Sequence, residues 1–307
     1  MNIITDLNLP ILNKTVISIG NFDGVHIGHR LLINTLAEHS EKKGQDGIVF
    51  TFAENPKNVF TGGVVKYITG TEDKMRLLAE AGAKNIYFAD FEELCVLTPE
   101  EFTEYILIKR FNAETVICGY DFRFGKNRAG NAELLKRLLA DKGAECVIVP
   151  AVYSEGQPVS STQIRRLIGE GDAERAEQLL GRPYGFTLPV VQGRQIGRGL
   201  GFPTINQVFP EYRIVPAYGV YAVVCEAKGK EYKGIANIGT RPTVSKNGTR
   251  PVCETHLFDF CGDLYNQSVR IKLKKRIRNE IRFSSLDLLR EQIKEDIIAA
   301  RAYFASI

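Results

Sequence analysis

Residues 16–29 read VISIGNFDGVHIGH. Val16–Gly20 is a short apolar run of strand character, and Arg30–Ser40 carries a helical pattern. Between them, Gly20–His29 packs three glycines and two of the chain's four histidines, three residues apart. A strand passing through glycines into a helix opens a βαβ unit. The free N–H groups and positive dipole end of such a helix suit a phosphate. Gly24 and Gly28 allow backbone and ligand to approach closely. His26 and His29 share one helical face and can donate to phosphoryl oxygens, stabilising charge that grows as pyrophosphate departs. A histidine that caps or fills space is the plainer alternative. Zinc needs a third protein ligand, and an HEXXH motif is absent.

The same rhythm continues outward. Gly47–Ala53, Ile86–Ala89, Thr115–Gly119 and Cys146–Pro150 read as buried strands. Glu72–Ala81, Pro99–Phe111 and Asn131–Gly143 read as helices between them. That alternation predicts an α/β domain with a parallel, doubly wound sheet, whose ligands bind beyond the carboxyl ends of the strands. The 307 residues are 44% hydrophobic and 25% charged, enough for two cored domains. No apolar run approaches a membrane span, and the N-terminus has no secretory pattern. The six cysteines form no CxxC pair, so reduced core thiols and a cytoplasmic location are expected, with no membrane partner.

Near Leu179–Val190, LLGRPYGFTLPV, the pattern changes. YGVYAVVCEA, YKGIANIG, VCETHLFDF and VRIKLKKRI are β-rich and follow one another without long helices, which predicts an antiparallel barrel. A last helix from Ser284 or Ser285 to about Phe304 carries a stripe of Leu286, Leu289, Ile293, Ile297, Ala300 and Phe304 that should cover one side of it. Charge divides the same way: residues 1–185 hold 21 Lys+Arg against 25 Asp+Glu, net −4, and residues 186–307 hold 19 against 11, net +8. Arg270, Lys272 and Lys274 alternate with Val269, Ile271 and Leu273. A nucleic-acid groove is one reading of that basic row, and a solvated edge strand the plainer one.

Three further stretches carry chemistry. SSTQIRR (Ser160–Arg166) starts a helix with hydroxyls at Ser161 and Thr162 and a cation at Arg165, a phosphate site or an ordinary capped helix. CGYDFRFGKNRAG (Cys118–Gly130) has the wrong spacing for a P-loop, and Asp121 is either a ligand contact or a turn former. GRQIGRGLGFPTIN (Gly193–Asn206) fails as a dinucleotide fingerprint because FPT stands where a helix should begin. It reads as a basic glycine loop feeding a strand. On that strand Thr204 and Asn206 face one side and could serve a hard metal ion, or be ordinary side chains. Glu254, an acid in an otherwise apolar or neutral strand, is either a general base or half of an ion pair.

His26-Ile27-Gly28-His29 resembles the HxGH mark of the HIGH-type nucleotidyltransferases, and SSTQIRR resembles their downstream element. The G-x-D-F-x-F-G segment at Gly119–Gly125 resembles bacterial FAD synthetases. GFPT-x-N, YGVYAV, ANIGTRPTV and ETHL-F-DF resemble the flavokinases, in order and at compatible spacing. Nearly the whole chain is therefore similar to the prokaryotic bifunctional riboflavin kinase/FMN adenylyltransferases. The resemblance implies a Rossmann-like FMN adenylyltransferase domain over 1–185 and a flavokinase β-barrel with a terminal helix over 186–307.

It implies riboflavin, FMN, FAD and ATP as substrates and products, ATP at both sites, Mg²⁺, and no nucleic acid; a weak homo-oligomer stays open. Residue by residue, Asn21, Phe22, Gly24, Gly28, Asp121, Ser161, Thr162 and Arg165 would bind at the adenylyl site, with His26 and His29 catalytic. Thr204 and Asn206 would hold Mg²⁺ and ATP phosphates, Gly197, Arg198 and Gly199 would cover the nucleotide, and Glu254 would take the riboflavin hydroxyl proton. Ile205 stands where the family often has Ala. Asn266 stands where Gly is common, in a turn that Asn tolerates.

Overall fold

Alternating side chains of the parallel strands feed two separate cores. The computed structural model describes residues 2–4, 11, 13–53, 65–193, 195–241 and 250–307. Residues 242–244 of ANIGTRPTV and Arg194 of the glycine stretch lie outside the described residues. The chain divides into two compact units, Met1–Ser161 and Thr162–Ile307.

In the first unit, β1 (Asn2–Ile4), β2 (Thr15–Ile19), β3 (Asp46–Phe52), β4 (Asn85–Ala89), β5 (Ala113–Gly119) and β8 (Glu145–Val149) form a wholly parallel sheet in the order β1-β4-β3-β2-β5-β8. Val16, Val49, Ile86 and Ile117 point to one face, against Leu32, Ile33 and Leu36 of α1 (Ile27–Lys43) and Leu77 and Leu78 of α2 (Thr71–Glu80). Ile17, Ile48, Phe50 and Val116 point to the other, against Phe102, Ile106, Phe111, Leu135 and Leu139. A sheet buried on both faces needs helices on both, which the run of alternating elements supplies. The five predicted strands are all present; the edge strand β1 is an addition, too short to show a period.

The short helix α3 (Phe91–Leu94) follows β4. The helix predicted over Pro99–Phe111 opens as α4 (Pro99–Glu101), with a Thr98/Glu101 capping box, and continues as a π-helix over Phe102–Arg110. There the Phe111 N–H reaches back five residues to the Ile106 carbonyl, and the wider register keeps Phe102, Thr103, Ile106 and Leu107 buried. A small hairpin of β6 (Arg123–Phe124) and β7 (Gly130–Asn131) leads into α5 (Ala132–Ala140). A second hairpin, β9 (Tyr153–Ser154) with β10 (Gln157–Pro158), precedes α6 (Ser161–Glu170) and α7 (Ala173–Leu180).

In the second unit, β11 (Gly185–Pro189), β12 (Thr204–Val208), β13 (Gly219–Ala227), β14 (Lys230–Arg241), β15 (Arg250–Leu257) and β16 (Ser268–Asn279) form an antiparallel sheet in the order β11-β16-β13-β14-β15-β12. A single helical turn, α8 (Ile196–Gly199), sits in the glycine stretch. Beyond β11, Val191 bridges to Asn206 of β12, which brings the two edge strands together and nearly closes a barrel. Gln207 of β12, fully buried, donates to the carbonyls of Leu188 at 2.6 Å and Val269 at 2.8 Å. The last helix, α9 (Leu286–Ala305), is capped by the Ser285 side chain. Ile293, Ile297, Ala300 and Phe304 of its predicted stripe pack on Val220, Ala222 and Ile235, whereas Leu286 is 60% exposed and lies beyond the barrel's cover.

One expectation changes. β16 is an interior strand, paired to β11 and β13, not a solvated edge. Its basic row is neutralised: Arg270 and Lys272 pair with Glu226, Lys272 also with Glu231 at 2.8 Å, and Lys274 with Glu177 at 2.8 Å. Thr162–Glu170 of α6 and all of α7 fall in the second compact unit, with the barrel.

Candidate active sites

Past the end of β2 the backbone turns through three positive-φ residues within four positions. Phe22, Gly24 and Val25 adopt positive φ of 51°, 86° and 40°. For Phe and β-branched Val this is costly backbone, tolerated where packing over-determines it. Both side chains are fully buried in the core under α1, which supplies that packing. Asp23, 2% exposed, points inward and accepts from the Ile68 and Thr69 N–H groups and the Thr69 hydroxyl at 3.0–3.2 Å. Gly24 N–H donates to the Thr69 hydroxyl oxygen at 3.1 Å. The turn is thus laced to residues 68–69.

His26 is the N-cap of α1, its Nδ1 accepting from the His29 N–H at 3.3 Å. That bond satisfies one of the N–H groups that the first turn of a helix leaves without a helical partner. The His26 and His29 rings stack at 3.6 Å with an 18° tilt, and Phe22 packs on His29 at 5.2 Å. A Cβ at Gly28 would stand 3.2 Å from the His26 ring, so that glycine admits the imidazole. Asn21 is held through its carbonyl, which accepts from the Thr51 hydroxyl at 3.1 Å.

The Ser161 hydroxyl donates to the Asp23 carbonyl at 2.9 Å, so its one hydrogen braces the turn and cannot also be given to a phosphate. Thr162 and Arg165 follow on α6, Thr162 exposed and Arg165 half-buried. Asp121 is exposed after β5 and folds back to 3.2 Å from where a Gly119 Cβ would be.

One buried cation here had no signal in the sequence. Lys74 on α2 is 4% exposed and donates to the Phe52 carbonyl at 2.8 Å. Burial pulls its pKa down to about 8, against the nearby Asp23 carboxylate, which raises it.

In the barrel, pairing sets three polar side chains in one row. Glu254 of β15 lies opposite Asn206 of β12 on one side and Asn237 of β14 on the other. Glu254 is half-buried, and among the described residues it has no ion pair or hydrogen bond, so the arginine partner weighed from sequence is absent there. Asn206 is 4% exposed, and its Oδ1 is buried without a hydrogen-bond partner among the described residues. A Cβ at Gly193 would stand 2.6 Å from the Asn206 amide carbon, so only glycine allows the chain to cross there.

Two cavities meet at Thr204. The first, about 240 Å³, is lined by Glu254, Asn237 and His256 with Val220, Ile235, Phe283, Leu289 and Ile293. The second, about 450 Å³, is lined by Arg198, Gln195, Asp263 and Tyr265 with Phe260 and Leu264. Thr204 lines both. Gly197 lines the first cavity, and Arg198 of the same helical turn lines the second. Gly199 has open space around it.

Arg278 also borders the first cavity and holds buried Asp296 of α9 through two bonds, at 2.7 and 2.8 Å. The pair fastens the terminal helix to β16. Neither it nor Asn237 stood out in the sequence, because each gains meaning only from a strand or helix distant in the chain. The six cysteines are free thiols, and burial pushes Cys225 and Cys253 up to about 12, which keeps them protonated and inert.

Comparison with known proteins accords with this division. Residues 9–163 match the family model for FAD synthetase, and residues 180–304 match that for riboflavin kinase. The bifunctional riboflavin kinase/FMN adenylyltransferase of Escherichia coli K12 is 38% identical over 94% of this chain and 92% of its own length. That of Bacillus subtilis 168 is 36% identical over 96% and 94%. A solved Streptococcus pneumoniae structure described as a macrolide-efflux protein superposes with a TM-score of 0.86 at 32% identity, covering 97% of this chain and 98% of that one. Among the described residues no helix is long and apolar enough to cross a membrane. The chain belongs to the bifunctional riboflavin kinase/FMN adenylyltransferase family, with an FAD synthetase half followed by a riboflavin kinase half.

Proposed function

We propose that this chain phosphorylates riboflavin with ATP to give FMN, then transfers AMP from a second ATP to FMN, releasing pyrophosphate and FAD. The observation that carries the reading is that each half holds its own site, in the half whose family model names the matching reaction. In the barrel, the apolar cavity suits an isoalloxazine ring and the Arg198 cavity a nucleotide. Thr204 sits at their meeting point, where a phosphoryl group would pass from ATP to a ribityl hydroxyl. Glu254 takes the hydroxyl proton as the oxygen attacks the γ-phosphorus and ADP leaves. Asn237 beside it can donate and accept, and so orient a ribityl hydroxyl.

The donor set fits Mg²⁺. Asn206 offers a buried carbonyl oxygen with no protein partner among the described residues, and Thr204 a hydroxyl two residues away on the same strand. Bound there with phosphate oxygens, the ion would neutralise charge developing on the transferred group. Gly197, Arg198 and Gly199 close over the nucleotide, Arg198 facing its phosphates.

In the adenylyl-transfer reaction, an FMN phosphate oxygen attacks the α-phosphorus of ATP. The α1 N-terminus, His26 and His29 hold the phosphate oxygens and offset charge on the departing pyrophosphate. Asn21, Phe22, Gly24 and Gly28 shape the turn under the nucleotide; Asp121, Thr162 and Arg165 contribute contacts, and Ser161 acts through its bond to Asp23. The functional domains run 1–185 and 186–307, and the setting is the cytoplasm. The test is incubation with riboflavin, ATP and Mg²⁺, following FMN and FAD by chromatography. The parent forms both. His29→Ala accumulates FMN and forms FAD on the order of 100-fold more slowly. FAD formation at the parent rate by His29→Ala removes that histidine from the mechanism.

A further inference from the structure

His256 takes no part in the chemistry of Glu254 and Thr204 proposed for the barrel, yet its position is restrictive. It is paired across strands with Thr204 of β12 and with Ile235 of β14, and it lines the cavity that holds Glu254. Its ring packs edge-on against Phe202 at 5.6 Å and Phe258 at 6.0 Å. Its Nδ1 lies 2.9 Å from the Pro203 carbonyl oxygen. A carbonyl can only accept, and so Nδ1 carries the hydrogen. The proline adds weight to this bond. Pro203 has no N–H, and its peptide ends the glycine stretch just where β12 begins. Fixing its carbonyl restrains the plane of the Pro203–Thr204 peptide, the unit that carries the chain into Thr204.

We infer that His256 is a positioning residue of phosphoryl transfer. It clamps the Pro203 carbonyl to β15 and thereby steadies the entry of the chain into Thr204, between the two cavities, whose register with Glu254 the strand pairing sets. This rests on the roles proposed above for Thr204 and Glu254. The geometry favours this over a packing role. In the glycine stretch that delivers Thr204, a Cβ at Gly199 or Gly201 would meet nothing within 4 Å, so the chain is not packed at those two positions. Within it, Phe202 N–H reaches back to the Gly197 carbonyl at 2.7 Å, a bond internal to the turn. The imidazole supplies the tie at the residue next to Thr204. Reacting groups displaced by about 1 Å can lose on the order of 100-fold in rate, so a single well-placed tether suffices for a kinetic effect.

Two substitutions of the full-length protein test it. His256→Phe keeps a ring against Phe202 and Phe258 but has no donor. His256→Asn loses the ring but puts an amide N–H near the Nδ1 position. Riboflavin affinity, read from flavin fluorescence without ATP, reports whether the cavity is intact. For His256→Phe we expect kcat for FMN formation to fall about 10- to 100-fold while riboflavin Kd stays within about threefold. His256→Asn should recover to within about fivefold of the parent. A Phe variant within twofold of the parent overturns the inference, and so does an Asn variant no faster than Phe. Loss of riboflavin binding in both variants makes His256 a wall of the cavity and also overturns it. Glu254→Gln serves as the reference. If it is slow while His256→Phe is not, only the clamp is wrong; if it too is unaffected, the site reading beneath the clamp falls.

Discussion

Glu254 has a carboxamide on either side of it and a carboxylate's chemistry to itself. Replacing it with Gln keeps the shape and an acceptor oxygen but removes the ability to take a proton. FMN formation should then fall by roughly 10²–10⁴. Riboflavin and MgATP affinities should move little, since the lost interaction is made in the transition state. FMN added from outside should still become FAD. If turnover falls only because riboflavin no longer binds, Glu254 is a binding residue and not the base. The acid itself was legible, because a carboxylate in a strand of apolar residues is anomalous on its own. Its neighbours were not: Asn237 looks ordinary until β14 is registered against β15. The histidine pair was equally legible from HxGH. The positive φ of Phe22 and Val25 that aims it was not, because hydrophobic periodicity carries no information about a single backbone angle.

Lys74 shows what an element can hide. α2 reads as an amphipathic helix, and a lysine in it would ordinarily face water. Here it turns under the sheet toward the Phe52 carbonyl at the end of β3. Its pKa of about 8 lies below the ordinary 10.5, so the native state disfavours the charged form that the unfolded chain prefers. The cost is fully present below pH 8 and is relieved as pH rises from about 8 to 10.5, so stability from this group rises across that window, by at most about 3 kcal/mol. Lys74→Met has no proton to lose. Denaturant midpoints at pH 8 and pH 10 should therefore diverge less in Lys74→Met than in the parent, and equal slopes would rule Lys74 out as the source. β16 is the complementary case. Its alternation correctly located a strand with one apolar face, but strand order is a non-local property. An interior position, with Glu226, Glu231 and Glu177 brought against the basic row, could not be read from one strand.

Two halves with separate cores predict separable activities, and the placement of α6 and α7 decides where the cut must fall. The composition break lies at 185/186, and the chain between 162 and 185 belongs to the same compact unit as the barrel. Ala217 N–H donates to the Ile168 carbonyl at 3.2 Å, and Lys274 holds Glu177 at 2.8 Å. Gly171, at φ +83°, packs so closely that a Cβ would stand 2.8 Å from the Arg276 side chain and 2.9 Å from the Tyr221 hydroxyl. Domains with their own cores usually fold alone, so a fragment of residues 162–307 should form FMN from riboflavin near the parent rate. A fragment of residues 186–307 keeps every residue assigned to the kinase site but loses these contacts. The backbone bond and the half-buried ion pair together are worth about 2 kcal/mol, which for a domain of this size lowers Tm by roughly 5–10 °C. The shorter fragment should therefore be active at low temperature and fail first on heating. Equal melting of the two fragments would show that α6 and α7 add nothing to the barrel. A folded 162–307 fragment without kinase activity would show instead that the site is incomplete without the first 161 residues.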